Sequence, residues 1–391
     1  MKKAISALLL LALLPTVTGC WDSRELDTLF IVTGLGLDTA QKADEVAVDM
    51  QIVKVSGNET GSGSQKSGGS GDGKGEILLE ASGKSVLSAI STLRHESTRT
   101  LFLQHNQVIV FGRELAQRGI QENLDFFLRD EEARMETLVL VAEGEAKEVL
   151  DAQLDQDKNS GIALTRIIRE FSKTSVHLKV DMLSLVSKLL QKTTALTIPI
   201  VEVIKQGDQT KVRVSKIAVF KGDRMVGEMA WDEVTGYLWI MGEINDGTLE
   251  LVTEKGTAVL NILQAHNTIA PVLADDGRMG VILHVDTKLD VEELNGFGDI
   301  TLKELYAYLI QEATKAIEGR IFTTYEKTRQ LNTDIYGFGG MFHIKYPKQW
   351  KALEQQWDVL FPGLQLVLSV NVHLTGTGKT AFSLDMEENQ K

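Results

Sequence analysis

The chain has 391 residues and a formal net charge of −13, because 54 acidic residues outnumber 41 lysines and arginines. Hydrophobic residues make up 43% and charged residues 24%, a globular composition that excludes a disordered or fibrous chain. The acidic balance argues against a nucleic-acid surface, and the single cysteine excludes an intramolecular disulfide, a cysteine zinc cluster and a CxxC redox site.

The N-terminus has the pattern of a bacterial export signal. Lys2-Lys3 precedes an apolar stretch at residues 4–14, which is shorter than the roughly 20 residues of a membrane-spanning helix. The following Val17-Thr18-Gly19-Cys20 resembles the lipobox of bacterial lipoproteins. The resemblance implies that residues 1–19 are a cleaved signal peptide and that Cys20 carries S-diacylglycerol and an N-acyl chain such as palmitate. The alternative is an ordinary secretory signal with a chance cysteine. Loss of the two lysines would lower the net charge to −15.

Trp21 comes directly after the predicted lipidation site. A tryptophan at this position can lie at the membrane interface, where both its apolar ring and its N–H find suitable surroundings. The charged residues Asp22, Arg24 and Glu25 can hold the start of the chain by ion pairs. The other interpretation is a linker with incidental charges, and the spacing does not decide between the two.

Residues 20–195 are predicted as an N-terminal α/β domain in which strands and helices alternate. Its strands are predicted at 29–37, 46–55, 77–81, 107–111 and 138–142. Its helices are predicted at 83–95, 114–128, 145–154, 161–171 and 181–191. Residues 56–75 contain eight glycines and five serines, so we expect a mobile loop inserted between two strands.

The remaining chain is predicted to form a small middle domain at 196–245 and a C-terminal α+β domain at 246–380, followed by a polar tail at 381–391. The middle domain has predicted strands at 197–204 and 211–220 and a helix at 231–241. Predicted strands at 248–253, 257–264, 268–273 and 279–289 are separated by short turns, which favours antiparallel pairing. Helices at 302–331 and 347–357 and a strand at 365–374 follow.

The whole is therefore predicted as α+β (mixed α/β), with three domains that each contain a sheet flanked by helices. The long helix at 302–331 distinguishes the C-terminal domain. Residues at helical spacing form a stripe along one face of this helix, and the stripe is apolar up to its last member. These residues are Leu302, Leu305, Leu309, Ala313, Ala316 and Arg320.

Three short patterns resemble ligand-binding motifs, and each is incomplete. Gly376-Thr377-Gly378-Lys379-Thr380 resembles the end of a P-loop, but His373 occupies the position of the first glycine. Gly34 and Gly36 match the first two glycines of a GxGxxG motif, but Thr39 occupies the position of the third. We therefore expect these two glycines to lie at a strand edge or in a bulge.

The third pattern is half of an EF-hand loop, formed by Asp155, Asp157 and Asn159. The loop requires a glycine at its sixth position and a glutamate at its twelfth, and these positions hold Ser160 and Arg166. We expect a solvated helix end instead. Since the seven histidines form no pair at i, i+3 or i, i+4, and no GxSxG or HExxH is present, we predict no enzyme activity, metal or cofactor.

Four segments together resemble the Ger(x)C family, the C-subunit lipoproteins of bacterial spore germinant receptors. The first two are Cys20-Trp21-Asp22-Ser23-Arg24-Glu25-Leu26 and Val32-Thr33-Gly34-Leu35-Gly36-Leu37-Asp38. The third runs from Ala218-Val219-Phe220-Lys221-Gly222-Asp223 through Val226-Gly227 and continues with Glu233, Gly236, Tyr237, Leu238 and Trp239. The fourth is Thr333-Asp334-Ile335-Tyr336-Gly337-Phe338-Gly339, followed by Tyr346-Pro347, Trp350 and Trp357. The resemblance extends over nearly the whole chain after the signal peptide.

The resemblance implies a three-domain lipoprotein without catalytic residues, anchored to the outer face of the inner spore membrane. It implies the A and B subunits of the receptor as membrane partners, and a role in nutrient-triggered germination through assembly or signalling. Only lipidation transfers to a residue of this sequence, Cys20. A solute-binding lipoprotein of an importer is the alternative, although the antiparallel strands at 248–289 fit poorly with two βαβ lobes. A surface enzyme is a weaker alternative because the catalytic motifs are missing.

Overall fold

The computed structural model describes residues 28–53, 76–154, 159–173, 178–207, 209–244, 246–298 and 300–375. Several predicted features lie outside these ranges: the signal peptide, Cys20, Trp21, the Gly/Ser loop at 56–75, the P-loop-like segment at 376–380 and the tail at 381–391. Among the described helices, none is both long and apolar enough to cross a membrane.

The strands of the described chain fall into two sheets. Those of the first sheet are β1 (Leu29–Thr39), β2 (Val46–Val53), β3 (Glu76–Gly83), β4 (Thr100–Phe102), β5 (Val108–Phe111), β6 (Leu138–Ala142), β7 (Thr197–Gln206), β8 (Gln209–Lys221) and β9 (Arg224–Met229). Those of the second sheet are β10 (Thr248–Thr253), β11 (Gly256–Leu273), β12 (Met279–Asn295) and β13 (Gln365–Leu374).

The helices lie mainly between strands of the first sheet and after β12. The first six are α1 (Val86–Glu96), α2 (Arg113–Arg118), α3 (Gln121–Arg129), α4 (Ala146–Leu150), α5 (Ser160–Lys173) and α6 (Met182–Leu189). The others are α7 (Trp231–Met241), α8 (Leu302–Leu331), α9 (Phe338–Lys345), α10 (Pro347–Leu353) and α11 (Trp357–Leu360).

The first sheet has the strand order β3-β2-β1-β5-β6-β7-β8-β9, with β4 beside β1. Its centre, from β1 through β7, is parallel, whereas both ends are antiparallel hairpins. All residues of β5 and β6 are buried, which explains their uninterrupted apolar sequences, because helices cover both faces. Helices α4 and α5 pack on one face, and α1, α3 and α6 contribute to the core on the other.

The first sheet joins the predicted N-terminal and middle domains. Strand β6 pairs in parallel with β7 through Val141 and Ile200, so the strands after residue 195 extend the same sheet. The division of the chain into three domains, with boundaries near 195 and 245, stays a prediction. The predicted α+β class is confirmed, with two sheets flanked by helices and one long helix in the C-terminal region.

The second sheet has the order β10-β11-β12-β13. Strands β10, β11 and β12 are antiparallel, as predicted from their short turns, and β13 returns parallel to β12 after the intervening helices. Buried and exposed residues alternate from Val281 to Leu289 in β12, so one face of the sheet enters the core and the other faces solvent.

Helix α8 packs along the covered side of this sheet and matches the predicted bounds. Its buried stripe continues from Ala313 through Ile317, Ile321 and Tyr325. Of the predicted stripe, Leu302 is exposed, and Ala316 and Arg320 are only half-buried, with Ala316 packed beside the core. After Ala313 the fully buried apolar positions recur every four residues instead. The buried stripe thus stays apolar for another three turns.

Three predicted elements are divided or joined differently in the structure. The predicted helix at 114–128 is interrupted at Gly119, whose φ of +134° is outside the helical region. The predicted strands at 257–264 and 268–273 form one strand, β11, which pairs with β12 along its length and absorbs two irregularities in register. The predicted helix at 347–357 ends at Leu353, and a 3₁₀ turn separates it from α11.

Candidate functional site

The most specific C-terminal motif forms a buried turn around Asp334, which is only 4% exposed. Its carboxylate accepts hydrogen bonds from the backbone N–H groups of Phe338 (3.0 Å) and Gly339 (2.8 Å), and from the indole N–H of Trp357 (3.2 Å). The carboxylate therefore connects the start of α9 to α11. The backbone carbonyl of Asp334 also accepts from the N–H of Ala195 at 2.8 Å, which attaches the motif to the segment before β7.

The hydrogen bonds partly compensate for the burial of this carboxylate. Burial raises the pKa of Asp334 to about 6, and the N–H donors at Gly339, Phe338 and Trp357 limit the rise because they stabilise the charged form. Its oxygens are thus occupied by donors from the protein itself. This arrangement indicates a structural clamp and not a catalytic acid.

Two glycines of the motif are required by their surroundings. Gly337 has a φ of +73° at the position before α9. A Cβ atom on Gly339 would lie 2.5 Å from Oγ1 of Thr193, so only glycine lets α9 approach the segment before β7 this closely. The spacing of these glycines follows from the geometry of the turn and its neighbour.

Aromatic rings continue the contacts from the Asp334 turn. Tyr336 stacks on Phe338 with ring centroids 4.9 Å apart and on Tyr237 of α7 at 6.0 Å. Trp357 meets Trp350 edge-on at 5.2 Å. Buried aromatic pairs of this kind add specific geometry to a large apolar area. They hold α7, the turn and the last helices together in one core.

A cleft with a volume of about 150 Å³ lies beside the turn. One wall is formed by residues 188–196, at the end of α6 and just after it, together with the β8–β9 turn. The other wall is formed by residues 332–334 and 354–361. Two ion pairs cross its rim, Lys192–Glu354 at 3.1 Å and Lys221–Asp358 at 3.3 Å. The cleft therefore lies where the first sheet meets the C-terminal helices, and we term it the junction cleft.

A second group of buried charges lies under α4 in the first sheet. Asp38 accepts hydrogen bonds from the N–H groups of Ala146 (2.9 Å) and Lys147 (3.1 Å), which places its carboxylate at the start of this helix. Asp49 is 3% exposed, and its neighbour in β3 is Glu80. Burial, with Asp38 and Glu80 adding to it, raises the pKa of Asp49 to about 7.

The described residues of the incomplete motifs have structural surroundings, and the P-loop-like segment at 376–380 lies outside the described residues. Gly34 follows an irregularity in the β1–β2 register, consistent with the expected bulge, and Gly36 lies against Ala146 and Leu150 of α4. Asn159 is buried and accepts from the N–H of Ile162 at 2.8 Å, so the expected solvated helix end is wrong at this residue. Asp155 and Asp157 lie outside the described residues.

No group of three or more His, Cys, Asp or Glu side chains in the described ranges is arranged to hold a metal ion. The junction cleft itself was not predicted from the sequence. Its walls are separated by more than a hundred residues along the chain, so the spacing of residues within either segment cannot indicate that the two segments are in contact. In the sequence, the motif around Asp334 indicates one wall of the cleft, but it does not show that residues 188–196 form the opposite wall.

Comparison with known proteins identifies two matching family regions. The region described as "Spore germination protein N-terminal domain" matches residues 22–203, and "Spore germination B3/ GerAC like, C-terminal" matches residues 215–378. The gap between the two matches falls in the β7–β8 hairpin, so both regions contribute strands to the first sheet.

Full-length relatives are found in Bacillus subtilis (strain 168). Spore germination protein YndF is 26% identical, with 97% of this chain and 99% of YndF aligned. Spore germination protein KC is 24% identical, with 96% of each chain aligned. The crystal structure of the GerBC protein has a similar fold, with a TM-score of 0.53 at 17% identity, and the match covers 90% of this chain and 99% of that one.

Proposed function

The chain belongs to the GerAC-like family of spore germination proteins, and from this premise we propose that it is a non-enzymatic lipoprotein subunit of a spore germinant receptor. One observation carries the proposal. The two family regions together extend from residue 22 to residue 378, and the relatives named as spore germination proteins align over almost their whole length. The likeness therefore concerns the architecture of the entire chain and not one shared module.

Membrane attachment in this proposal depends on the N-terminus. Lipidation at Cys20 would hold the body at the outer face of the inner spore membrane, with Trp21 at the headgroup level. Two or more acyl chains give stable anchoring, whereas one gives only marginal binding. The acidic body has no electrostatic attraction to anionic headgroups, so the lipid and the protein partners are the two means of attachment.

The proposed partners are the A and B subunits of the receptor, which are membrane proteins in this family's receptors. The chain would contribute to assembly of the complex or to signalling after a nutrient binds. The carboxylate of Asp334 in the C-terminal motif is occupied by hydrogen bonds within the fold, which supports a structural part in such an assembly and no catalytic one.

Deletion of the gene in the spore-forming host tests the proposal. We expect spores without this chain to lose the response to the nutrients that its receptor recognises, and to germinate normally with a trigger that does not act through nutrient receptors. Any paralogous receptor is deleted in the same strain. Unchanged nutrient-triggered germination in that strain would contradict the proposal.

Complementation then separates anchoring from folding. We expect a Cys20→Ala chain to be made but to fail to restore germination fully, because it loses the acylated residue, and we expect the wild-type chain to restore it. The fraction of chain recovered with spore membranes is measured in both strains. In a strain that also lacks the A and B subunits, full membrane retention of the Cys20→Ala chain would contradict lipid anchoring, and the deletion test of the receptor role would be unaffected.

A further inference from the structure

A shallow groove with a volume of about 640 Å³ lies at the end of the first sheet where β1 begins. Arg94 and Arg99 line it together with the hydroxyl-bearing residues Thr28, Thr98 and Thr100. No acidic side chain of the described chain belongs to its lining. The groove is therefore a locally positive place on a protein whose net charge is −13, and we term it the basic groove.

The pairing of β1 with β4 brings the two arginines to this place. The two strands are parallel, with Leu29 opposite Thr100. The residues just before them, Thr28 and Arg99, therefore lie at the same end of the strand pair. The last turn of α1 contains Arg94, and it ends beside them because only residues 97–99 connect α1 to β4. The topology thus sets both guanidinium groups at one edge of the sheet.

The guanidinium group of Arg99 is held in position without a charged partner. Its Cζ atom lies 5.3 Å from the ring centroid of Phe30, and such a cation–π contact accepts none of its five N–H donors in a conventional hydrogen bond. The Ser97 hydroxyl donates to the backbone carbonyl of Arg99 at 2.8 Å, which fixes the chain there. Neither Arg94 nor Arg99 forms an ion pair with any residue that the structure describes, and the exposed Glu96 does not line the groove.

The chemistry of the basic groove suits an anion with several oxygens. The planar fork of each arginine can donate two parallel hydrogen bonds to a phosphate group. The hydroxyls of Thr98 and Thr100 line the same groove and can donate further hydrogen bonds.

The basic groove also lies where the chain arrives from its N-terminus. Thr28 is eight residues after Cys20, which spans at most about 28 Å when the chain is fully extended. Acyl chains on Cys20 would therefore keep the groove within this distance of the membrane surface. The phosphate groups of the lipid headgroups are the anions that such an anchor brings closest.

We propose that the basic groove binds the phosphate group of a membrane lipid headgroup, an inference that rests on the lipid anchor of the proposed function. Arg94 and Arg99 would donate to the phosphate oxygens. The net negative charge opposes attraction of the whole body to an anionic surface, so this contact does not attach the protein. It orients a body that its acyl chains already hold, with the start of β1 towards the bilayer.

Chemical protection of the two arginines tests the proposal with the full chain. The chain is purified from bacterial membranes in nonionic detergent and transferred to vesicles of phosphatidylcholine and phosphatidylglycerol, and the reaction of each arginine with phenylglyoxal is followed by mass spectrometry. We expect Arg94 and Arg99 to react about fivefold more slowly in vesicles than in detergent. The control is the exposed Arg224 on the edge strand β9, five strands from β1, which should react equally in both.

Inorganic phosphate distinguishes a lipid headgroup from a soluble anion. It is added to the detergent sample at the concentration that the lipid phosphate has in the vesicle sample, and we expect it to leave the reaction of Arg94 and Arg99 almost unchanged. Equal protection by inorganic phosphate would overturn the membrane proposal.

Variants distinguish binding in the groove from mere shielding by the nearby bilayer. We expect Arg99→Gln to return the reaction of Arg94 in vesicles to its rate in detergent, and Arg94→Gln to do the same for Arg99, because the two guanidinium groups share one phosphate. Arg129→Gln is the matched control, since this exposed arginine of α3 is outside the groove and paired with Asp125 at 2.8 Å. Circular dichroism confirms that each variant is folded. Protection of Arg94 that persists in Arg99→Gln would overturn the proposal.

Flotation of the same vesicles separates the groove from the anchor. A chain that floats with the vesicles while Arg94 and Arg99 react as they do in detergent contradicts the groove contact and leaves the lipid anchor supported. A chain that does not float contradicts both the anchor and the groove contact.

Discussion

Asp49 and Asp334 show how two buried carboxylates can differ in their surroundings. Asp334 receives three N–H donors, whereas Asp49 lies near three further acidic groups, Asp38, Glu80 and Glu145, whose effect Lys147 opposes. The pKa of Asp49 is consequently the higher of the two, about 7 against about 6. In the folded chain Asp49 therefore holds a proton that the unfolded chain releases near pH 4.

This difference predicts a pH-dependent gain of stability for Asp49→Asn. Because the folded pKa is raised, the contribution of Asp49 to stability is present below about pH 4 and is lost as the pH rises through 7. Asparagine does not ionise, so the stability of the variant does not fall in this pH range through residue 49. We expect Asp49→Asn to increase the free energy of unfolding by about 1–3 kcal/mol at pH 8, and to change it little at pH 4, as measured by urea denaturation.

The matched control is Asp44→Asn, a change of the same kind at an exposed position between β1 and β2. Its stability should follow the wild-type pH profile. If Asp49→Asn is less stable than wild type at pH 8, the fold stabilises the ionised carboxylate, contrary to the raised pKa.

The roles of Asp334 and Asp49 could be predicted from the sequence only in part. The motif around Asp334 was recognised as a family signature, but its clamp role depends on Trp357 and Ala195, which are distant along the chain. Asp49 lies within a cleanly alternating strand, and the alternation alone places it on one face without revealing the acidic neighbours.

At the scale of elements, the crossing of α7 and α8 determines how the two sheets are joined. A Cβ atom on Gly236 of α7 would clash with Oγ1 of Thr324 and with the backbone carbonyl oxygen of Arg320 in α8. The Thr324 hydroxyl donates to the carbonyl of Glu233 at 2.8 Å across the same contact. The helices can approach this closely only because position 236 has no side chain.

We therefore expect Gly236→Ala to destabilise the protein by about 1–3 kcal/mol, although alanine favours helices, because a backbone clash cannot be relieved by a rotamer change. Gly319→Ala is the control. It lies inside α8 with open space around its Cα, so the same substitution should stabilise by up to about 1 kcal/mol. Denaturant midpoints of both variants provide the comparison, and equal effects at the two positions would exclude a close crossing at Gly236.

Elements with strong local patterns were predicted well. The uninterrupted apolar strand β6 and the long helix α8 were placed with the bounds that the structure has. The break at Gly119 was not predicted, because the φ angle of a glycine within a helical pattern cannot be read from the sequence. The continuity of β11 was not predicted either, because it depends on pairing with β12 through a polar stretch. Helix α9 was missed because its glycines and aromatic residues have weak helical propensity and are held by tertiary contacts.

At the scale of the whole molecule, the two sheets are connected by α7, α8 and the Asp334 turn. The α+β class followed from the order of strands and helices, whereas the extension of the first sheet by β7, β8 and β9 did not. Sequence separation hid that extension, because pairing of β6 with β7 spans more than fifty residues. The three-domain division, predicted from the change of pattern near Pro199, stays a prediction, and the first sheet continues across its boundary near residue 195.

The central claim, membership of a germinant receptor, is a claim about physical association. The most direct measurement is affinity purification of the tagged full chain from detergent-solubilised spore membranes, with quantitative identification of the proteins that remain bound. The account predicts that two receptor-type membrane proteins, the A and B subunits, are recovered with the chain in comparable amounts. Recovery of the chain alone, or with the permease of an importer, would contradict it.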